Sequence, residues 1–395
     1  MTYLDKIKDQ SIGIIYGGLS PEHDISILTA LQVERLLTDA GVSTQMIYWT
    51  KFNTFLQVPN GLEAKDYLEP EIKGSKELQI VLGGEASGLY IGKKLNSKNQ
   101  LSIDVVLNCC HGGPGEEGEL FGALAIAQIP VSGASKTSSA SISMDKLATH
   151  SVAKASGVPV AENFLVTKEM LEGTEKAPFE GPYILKPRFG GSSIGIEIVD
   201  DFETLCSLVK SAPAFKRGAV ADKYLNDWHD LNIACVTYPE VEVSFIEKPT
   251  KSDDAKMWDY NNKYLGGADG MENAQRELPA VLPKGIEEKI KQYAKRVAQA
   301  MDLTGIARID FLWDGKSDGT KECQGPDTGL IFVEANVPPG SLSLYLWEAT
   351  GFDRAEILAR LVSEAIEIQP AKIWDSSFAD GLALRNAGSI ASKLY

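Results

Sequence analysis

The segment Gly181–Val199, GPYILKPRFGGSSIGIEIV, decides how the rest of the chain is read. An apolar run carrying one lysine, Lys186, is followed by Gly190, Gly191, Ser192, Ser193 and Gly195, and then by a second β-branched run. Two apolar runs around a small-residue stretch predict a hairpin with a pliant turn. Such a turn suits a polyphosphate. Glycines let backbone N–H groups approach phosphate oxygens, serine hydroxyls add donors, and a lysine brings a point charge. A Gly/Ser-rich turn with an incidental lysine is the commoner occurrence, so the flanking sequence carries the decision.

The whole chain sets the frame. At 395 residues and 44% hydrophobic it exceeds one ordinary core, and two or three domains are expected. With 39 Lys+Arg against 54 Asp+Glu the formal charge is −15, which argues against broad contact with nucleic acid or an anionic membrane. An anionic ligand therefore needs a local pocket of lysine and arginine. Five cysteines, two of them ending the strand-like run IDVVLNCC at Cys109 and Cys110, read as reduced core thiols. The leader MTYLDKIKDQ has no apolar h-region and no run is long enough to span a membrane, so a cytoplasmic location is expected.

On the N-terminal side, SIGIIYGG (Ser11–Gly18) is a buried-type strand, followed by a helix that Ser20 caps with Pro21 in its first turn, and by the strand STQMIYW. This β-α-β opening predicts a doubly wound parallel sheet, with ligands beyond the carboxyl ends of its strands. No G-x-G-x-x-G is present, so a dinucleotide is not indicated. Residues 51–100 read as loops and short strands without assignable chemistry. Order returns with LSIDVVLN and CCHGGPGEEG, which put His111 at a strand end and Glu116 and Glu117 at a helix start. Then the Ser/Thr run from Ala134 reads as a connection, and MDKLATHSVAKASG as a helix with Lys146 near its beginning.

On the C-terminal side, GAVADKYL contains Asp222, and LNIACVTYPEVEVSFIEKP gives alternating strands. Some thirty residues without pattern follow, containing Lys263 and Tyr264, and a stretch of that length inside an enzyme is usually a lid or binding loop. In TGIARIDFLWDG, Arg308 and Asp310 share one face of a strand, and in LIFVEANVPPG, Glu334 and Asn336 do. If those strands pair, two carboxylates and a carboxamide converge, the hard oxygen set that Mg²⁺ takes beside ATP phosphates.

The ordered set GGLSPEH, HGGPGEEG, MDK, ILKPRFGGSSIG, DYNNKY, RIDF and EANVPPG resembles the D-alanine–D-alanine ligase family of ATP-grasp enzymes, over about residues 12–368. The resemblance implies an α/β, three-domain ATP-grasp fold. Its N-terminal doubly wound domain would cover residues 1–134, a central subdomain with the phosphate loop 135–226, and a C-terminal subdomain with lid, metal site and extension 227–395. It implies ATP as cofactor, held by Lys146, Lys186, Ser192, Ser193 and Lys263, with Asp222, Lys223 and Asp230 near adenine and ribose. The family normally has glutamates where Asp222 and Asp230 stand. It implies Mg²⁺ as two ions, with Mn²⁺ as the alternative metal, on Asp310, Glu334 and Asn336.

For the amino acids, the resemblance implies that Glu22 holds the ammonium of the first and His111 lies near its carboxylate. Tyr264 would join Ser192 and Glu22, and Arg308, with backbone N–H groups near Gly340, would stabilise the oxyanion. The Lys-Tyr pair in the lid favours an amine acceptor. Anchoring on LWEATG puts about four missing residues directly after Gly340, so Ser341 and Leu342 would bind the acceptor in a pocket of altered shape. The activity implied is ATP-dependent dipeptide formation for peptidoglycan precursors, by a homodimer. Alternatives are a ligase for a different amino acid or specialised-metabolite acceptor, and an inactive nucleotide-binding regulator.

Overall fold

The computed structural model describes residues 2–132, 137–250, 276–320, 328–368 and 381–387. Three sheets organise them. The first has strands β1 (Ser11–Gly17), β2 (Ser43–Trp49), β3 (Phe55–Val58), β4 (Lys76–Val81), β5 (Gly88–Ile91) and β6 (Val105–Asn108), in the order β5-β4-β3-β2-β1-β6. Its β6, β1 and β2 are parallel, while β3 to β5 extend one edge in antiparallel fashion. Ile12, Ile14, Ile15 and Tyr16 are wholly buried, as the unbroken apolar run of a central parallel strand requires. Residues 51–100 thus finish the first sheet. Their sequence pattern is weak because β3 and β4 are only half covered.

The helix after β1 begins at His23, two residues beyond the start that a Ser20 cap predicts. Ser20 Oγ instead accepts from the backbone N–H of Glu22 at 3.0 Å, forming a turn ahead of the helix. The Glu22 side chain makes no cap hydrogen bond to that helix.

The second sheet contains β7 (Asn163–Leu165), β8 (Tyr183–Pro187), β9 (Glu197–Val199) and β10 (Ala219–Lys223), ordered β7-β10-β8-β9 and antiparallel throughout. The opening segment is the hairpin β8–β9. Its sheet is backed by the helix Phe202–Ser211, with Tyr183, Leu185, Leu205 and Phe215 in the core between them. The third sheet contains β11 (His229–Val236), β12 (Glu242–Pro249), β13 (Arg276–Glu277), β14 (Ile306–Trp313) and β15 (Leu330–Asn336), ordered β13-β12-β11-β14-β15. The helix Lys284–Ala300 covers one face through Ile286, Ile290, Ala294 and Val297. Along β14, Ile309 and Phe311 turn into that core, so Arg308 and Asp310 face the other way.

The Ser/Thr run is not a connection. Thr137–Met144 is helical, burying Ser139, Ala140 and Met144, and Ser143 Oγ donates back to the Ser139 carbonyl at 2.8 Å. Packing here overrides the weak helix preference of serine. Near the other end of the described chain, the helix Arg354–Glu367 packs Leu358, Leu361 and Val362 into the core of the first sheet, beside Ile12, Ile14 and Val105. Its Glu356 carboxylate accepts from the N–H groups of Tyr3 (2.6 Å) and Leu4 (3.1 Å), at the start of the helix Tyr3–Ile7. In the C-terminal extension, Leu382 and Leu384 are exposed.

Cys109, Cys110, Cys206 and Cys235 are buried and unbridged, and burial pushes the Cys109 and Cys110 thiols far above their ordinary range, so they stay as thiols. Among the described residues, no helix is long and apolar enough to cross a membrane.

Candidate functional site

The hairpin loop is built onto the helix Lys146–Ala155. Asp145 caps that helix through the N–H groups of Leu147 and Ala148, and the same carboxylate holds Arg188 bidentately, at 2.9 Å to Nε and 2.6 Å to Nη2. Lys146 Nζ donates to the Gly190 carbonyl, and the Lys146 N–H donates to the Arg188 carbonyl at 3.1 Å. Ser192 and Ser193 adopt left-handed backbone at φ 53° and 59°. That turn brings Ser192 Oγ against Glu22 Oε1, to which it donates. A Cβ at Gly112 would run into Ser20 Oγ and stand 2.7 Å from Glu22 Oε2, so both side chains would have to shift.

The register of the third sheet supplies the opposite wall. Arg308 pairs across from Asn336 and Asp310 from Glu334, so all four side chains share one face. Arg308 grips Asp310 with Nε at 2.7 Å and Nη2 at 2.8 Å, and Asn336 Nδ2 donates to Asp310 Oδ2 at 3.1 Å. The row continues through Asn232 on β11 to Glu247 on β12. There Glu247 accepts from Tyr345 OH (2.7 Å) and Asn232 Nδ2 (3.3 Å), and pairs with Arg276 Nη1 at 3.0 Å. The Arg276 guanidinium lies 4.6 Å from the Tyr345 ring centre.

These walls enclose a cavity of about 820 Å³. Its lining includes Glu22, His111, Lys186, Ser192, Ser193, Asp230, Arg308, Asp310, Glu334, Asn336 and Gly340, residues far apart in the chain. Asp222 is elsewhere. It is buried beside Lys186, with Oδ2 2.7 Å from Nζ, at a smaller recess. Burial disfavours both charges, but their mutual attraction prevails, holding Asp222 below and Lys186 above its usual pKa. Lys223 reaches outward to Glu162 at 2.9 Å and touches only that recess. Lys146 is half-buried behind the loop, and burial lowers its pKa. Lys263 and Tyr264 lie outside the described residues.

His111 is buried, with Nε2 2.9 Å from Thr29 Oγ1 and a hydrogen bond to the Pro338 carbonyl. Burial outweighs that bond and pushes its pKa down to about 4, so the ring is neutral at pH 7. Thr29 Oγ1 also accepts from the Ser341 N–H at 3.2 Å, and Leu342 is buried in the core, so of Gly340, Ser341 and Leu342 it is Gly340 that lines the cavity. Ser341, Leu342 and Ser343 all have φ between 47° and 49°. Left-handed backbone costs an L-residue about 1–2 kcal/mol, so this short connection is strained.

The sequence alone missed three groups. Glu116, read only as a helix-start acid, lines the cavity and accepts from the Gly112 N–H at 2.6 Å. Burial and the neighbouring Glu22 charge keep it protonated well above the carboxylate range. The Asn232–Glu247–Arg276–Tyr345 cluster needs strand register to be seen, and His150, described below, needs the helix packing.

Comparison with known proteins agrees with this layout. The model described as the D-ala D-ala ligase N-terminus matches residues 11–134 and that of the D-ala D-ala ligase C-terminus residues 152–363. A D-alanine--D-alanine ligase of Thermosipho africanus is 31% identical over 364 residues, covering 90% of this chain and 93% of its own. That of Enterococcus faecalis is 25% identical over 365 residues, covering 89% and 98%. In shape, the chain matches the VanG D-Ala:D-Ser ligase from Enterococcus faecalis with TM-score 0.73 at 21% identity, covering 90% of this chain and 99% of that one. The D-alanine-D-alanine ligase from Coxiella burnetii matches with TM-score 0.72 at 20% identity, covering 97% and 100%. With both sequence halves matched in order and the ATP-grasp fold shared, this chain belongs to the D-alanine–D-alanine ligase family.

Proposed function

We propose that the chain is an ATP-dependent D-alanine–D-alanine ligase that makes a dipeptide for peptidoglycan precursors through an acyl phosphate. The observation that carries this reading is the in-register set Arg308, Asp310, Glu334 and Asn336 facing Lys186 and the Gly190–Gly195 loop across one cavity. In the first step a carboxylate oxygen of the donor amino acid attacks the γ-phosphorus, forming a C–O–P bond as ADP leaves. In the second, the acceptor amine, having lost a proton, attacks the acyl carbon and inorganic phosphate departs.

Glu22, oriented by Ser192, would hold the donor ammonium, and His111, neutral and fixed by Thr29 and Pro338, would lie near its carboxylate. Lys186, and Lys146 with Lys263, would offset phosphate charge; Arg308 and the backbone near Gly340 would meet the developing oxyanion. Asp310, Glu334 and Asn336 are a hard oxygen set that fits Mg²⁺, and they would hold it; bound there, the ion would neutralise phosphate charge. Asp230 would stand near the ribose. The central and C-terminal subdomains would grip the nucleotide between them, and Tyr264 on the lid would join Ser192 and Glu22. A cytoplasmic homodimer is part of the proposal, and sedimentation at micromolar concentration tests the dimer.

The buried Glu247–Arg276 pair in the same cavity favours one second reading, a ligase with a different acceptor, as in the VanG D-Ala:D-Ser ligase. One assay separates them: phosphate release from Mg²⁺-ATP with single and paired amino acids, followed by mass spectrometry. Release with D-alanine alone, giving its dipeptide, supports the first reading. Release only with another partner supports the second, and no release with any amino acid defeats both.

A further inference from the structure

Adjoining the large cavity at Lys186 is a recess of about 20 Å³. The two spaces share Ile184 and Lys186 from β8, Leu225, Leu312 from β14 and Val333 from β15, so a largely apolar slot beside the Lys186 ammonium, between the second and third sheets, separates the cavity from the recess. At its end lie two polar atoms that have no partner among the described residues, His150 Nδ1 and Asp222 Oδ1. Their residues are 3% and 4% exposed.

Both atoms are acceptors. His150 Nε2 lies 2.8 Å from the Val333 carbonyl, which can only accept, so the ring proton sits on Nε2 and Nδ1 presents a lone pair. Burial, outweighing the pull of Asp222, keeps the ring neutral. Asp222 Oδ2 is taken by Lys186, and Oδ1 faces Nδ1 at 4.0 Å. That gap is too wide for a direct hydrogen bond and narrow enough for one atom to stand about 2.9 Å from each. Each buried acceptor without a donor costs about 1–3 kcal/mol. The group that relieves both carries two hydrogens on one small atom and arrives through a slot that is apolar except for Lys186, whose ammonium Asp222 Oδ2 already engages. An exocyclic amine on a planar ring meets that description, whereas a ring carbonyl would set a third acceptor against the two.

We propose that His150 is a specificity-determining residue for the nucleotide: with Asp222 it receives the two hydrogens of the exocyclic amine of a 6-aminopurine, and so excludes 6-oxopurines. The inference rests on the ATP reading above. Asp222 is the charged half of the reader and His150 the half that leaves no hydrogen of the amine unpaired.

The test is calorimetric binding of ADP and of IDP, which carries oxygen in place of the amine, with Mg²⁺ and without amino acids. The wild type should prefer ADP. In His150→Phe the preference should fall roughly tenfold, the worth of one hydrogen bond of about 1.4 kcal/mol, through weaker ADP binding. His150→Gln, which restores a carbonyl acceptor, should recover most of it. A purely structural role for His150 would weaken both nucleotides alike. Equal binding of ADP and IDP by the wild type, or an unchanged preference in His150→Phe, overturns the proposal and assigns the recess to a water molecule. Should His150→Phe not fold, His150→Ala takes its place. If neither nucleotide binds the wild type, the ATP reading itself fails and the proposal with it.

Discussion

Replacing Arg308 by alanine separates the oxyanion role proposed for it from the ion pair it makes with Asp310. The guanidinium is 14% exposed and is held by two charge-assisted bonds to Asp310, so its remaining N–H groups have little freedom to reorient. As the proposed preorganised donor to the oxyanion it would be worth about 10²–10³ in kcat, or about 3–4 kcal/mol. Its second job is electrostatic. Asp310 and Glu334 are cross-strand neighbours, and with carboxylates about 6 Å apart at an effective dielectric of about 20 they repel by about 3 kcal/mol once the arginine is gone. A divalent cation relieves that repulsion.

Phosphate release at saturating donor, acceptor and ATP, titrated with Mg²⁺, should therefore show kcat down by about 10²–10³ while half-saturation by Mg²⁺ does not rise. Arg308→Lys keeps a charge without the fork and should fall between. Turnover of the alanine variant within about threefold of wild type, with a normal melting curve, would refute the reasoning, since an oxyanion donor cannot be removed so cheaply.

Glu334→Gln should raise the Mg²⁺ concentration needed for ATP use with unchanged circular dichroism; an unaltered magnesium dependence removes Glu334 from the metal set. Ser192→Ala deletes the hydrogen bond to Glu22, and a bond to a charged group of about 1.5–3 kcal/mol predicts a rise in donor KM of about 10- to 100-fold, with ADP binding changed far less. His111 gives a pH signature. Its folded pKa of about 4 lies below the unfolded 6.5, so the unfolded chain binds the extra proton between those values. Stability is fully present above pH 6.5 and falls by about 3 kcal/mol as pH drops to 4. His111→Gln should flatten that slope in melting temperature against pH, and an identical slope contradicts the neutral-histidine assignment.

Much of the architecture was legible because burial leaves periodic traces. The strand Ile306–Trp313 alternates, and its helix Lys284–Ala300 repeats apolar residues at i and i+4, so both were readable without knowing their partners. Thr137–Met144 was not, since its serines speak for a loop and only Ala140 and Met144, covered from elsewhere, make it a helix. The β3–β5 edge was faint for the opposite reason, too little burial. In the site, Arg308 opposite Asn336 and Asp310 opposite Glu334 could be anticipated, because two short polar patterns had only to pair. Glu247 and Arg276 could not, because their meeting depends on the register of β12 against strands on both sides. Where the sequence put Ser20 at a helix cap, the carboxylate two residues later turned out to be the side chain that meets the loop.

The contact of Glu356 with the backbone of Tyr3 and Leu4, and the burial of Leu358 and Val362 beneath β1 and β6, bear on how the protein comes into being. A nascent chain emerging at about 5–20 residues per second exposes the finished first sheet long before the helix that covers it has been translated. For some tens of seconds one apolar face of that sheet has no cover from its own chain. Linking the N- and C-termini and opening the chain at a surface turn would deliver that helix first and shorten the wait. A permuted gene of this kind should give more soluble protein at high expression while leaving the mature site unaltered.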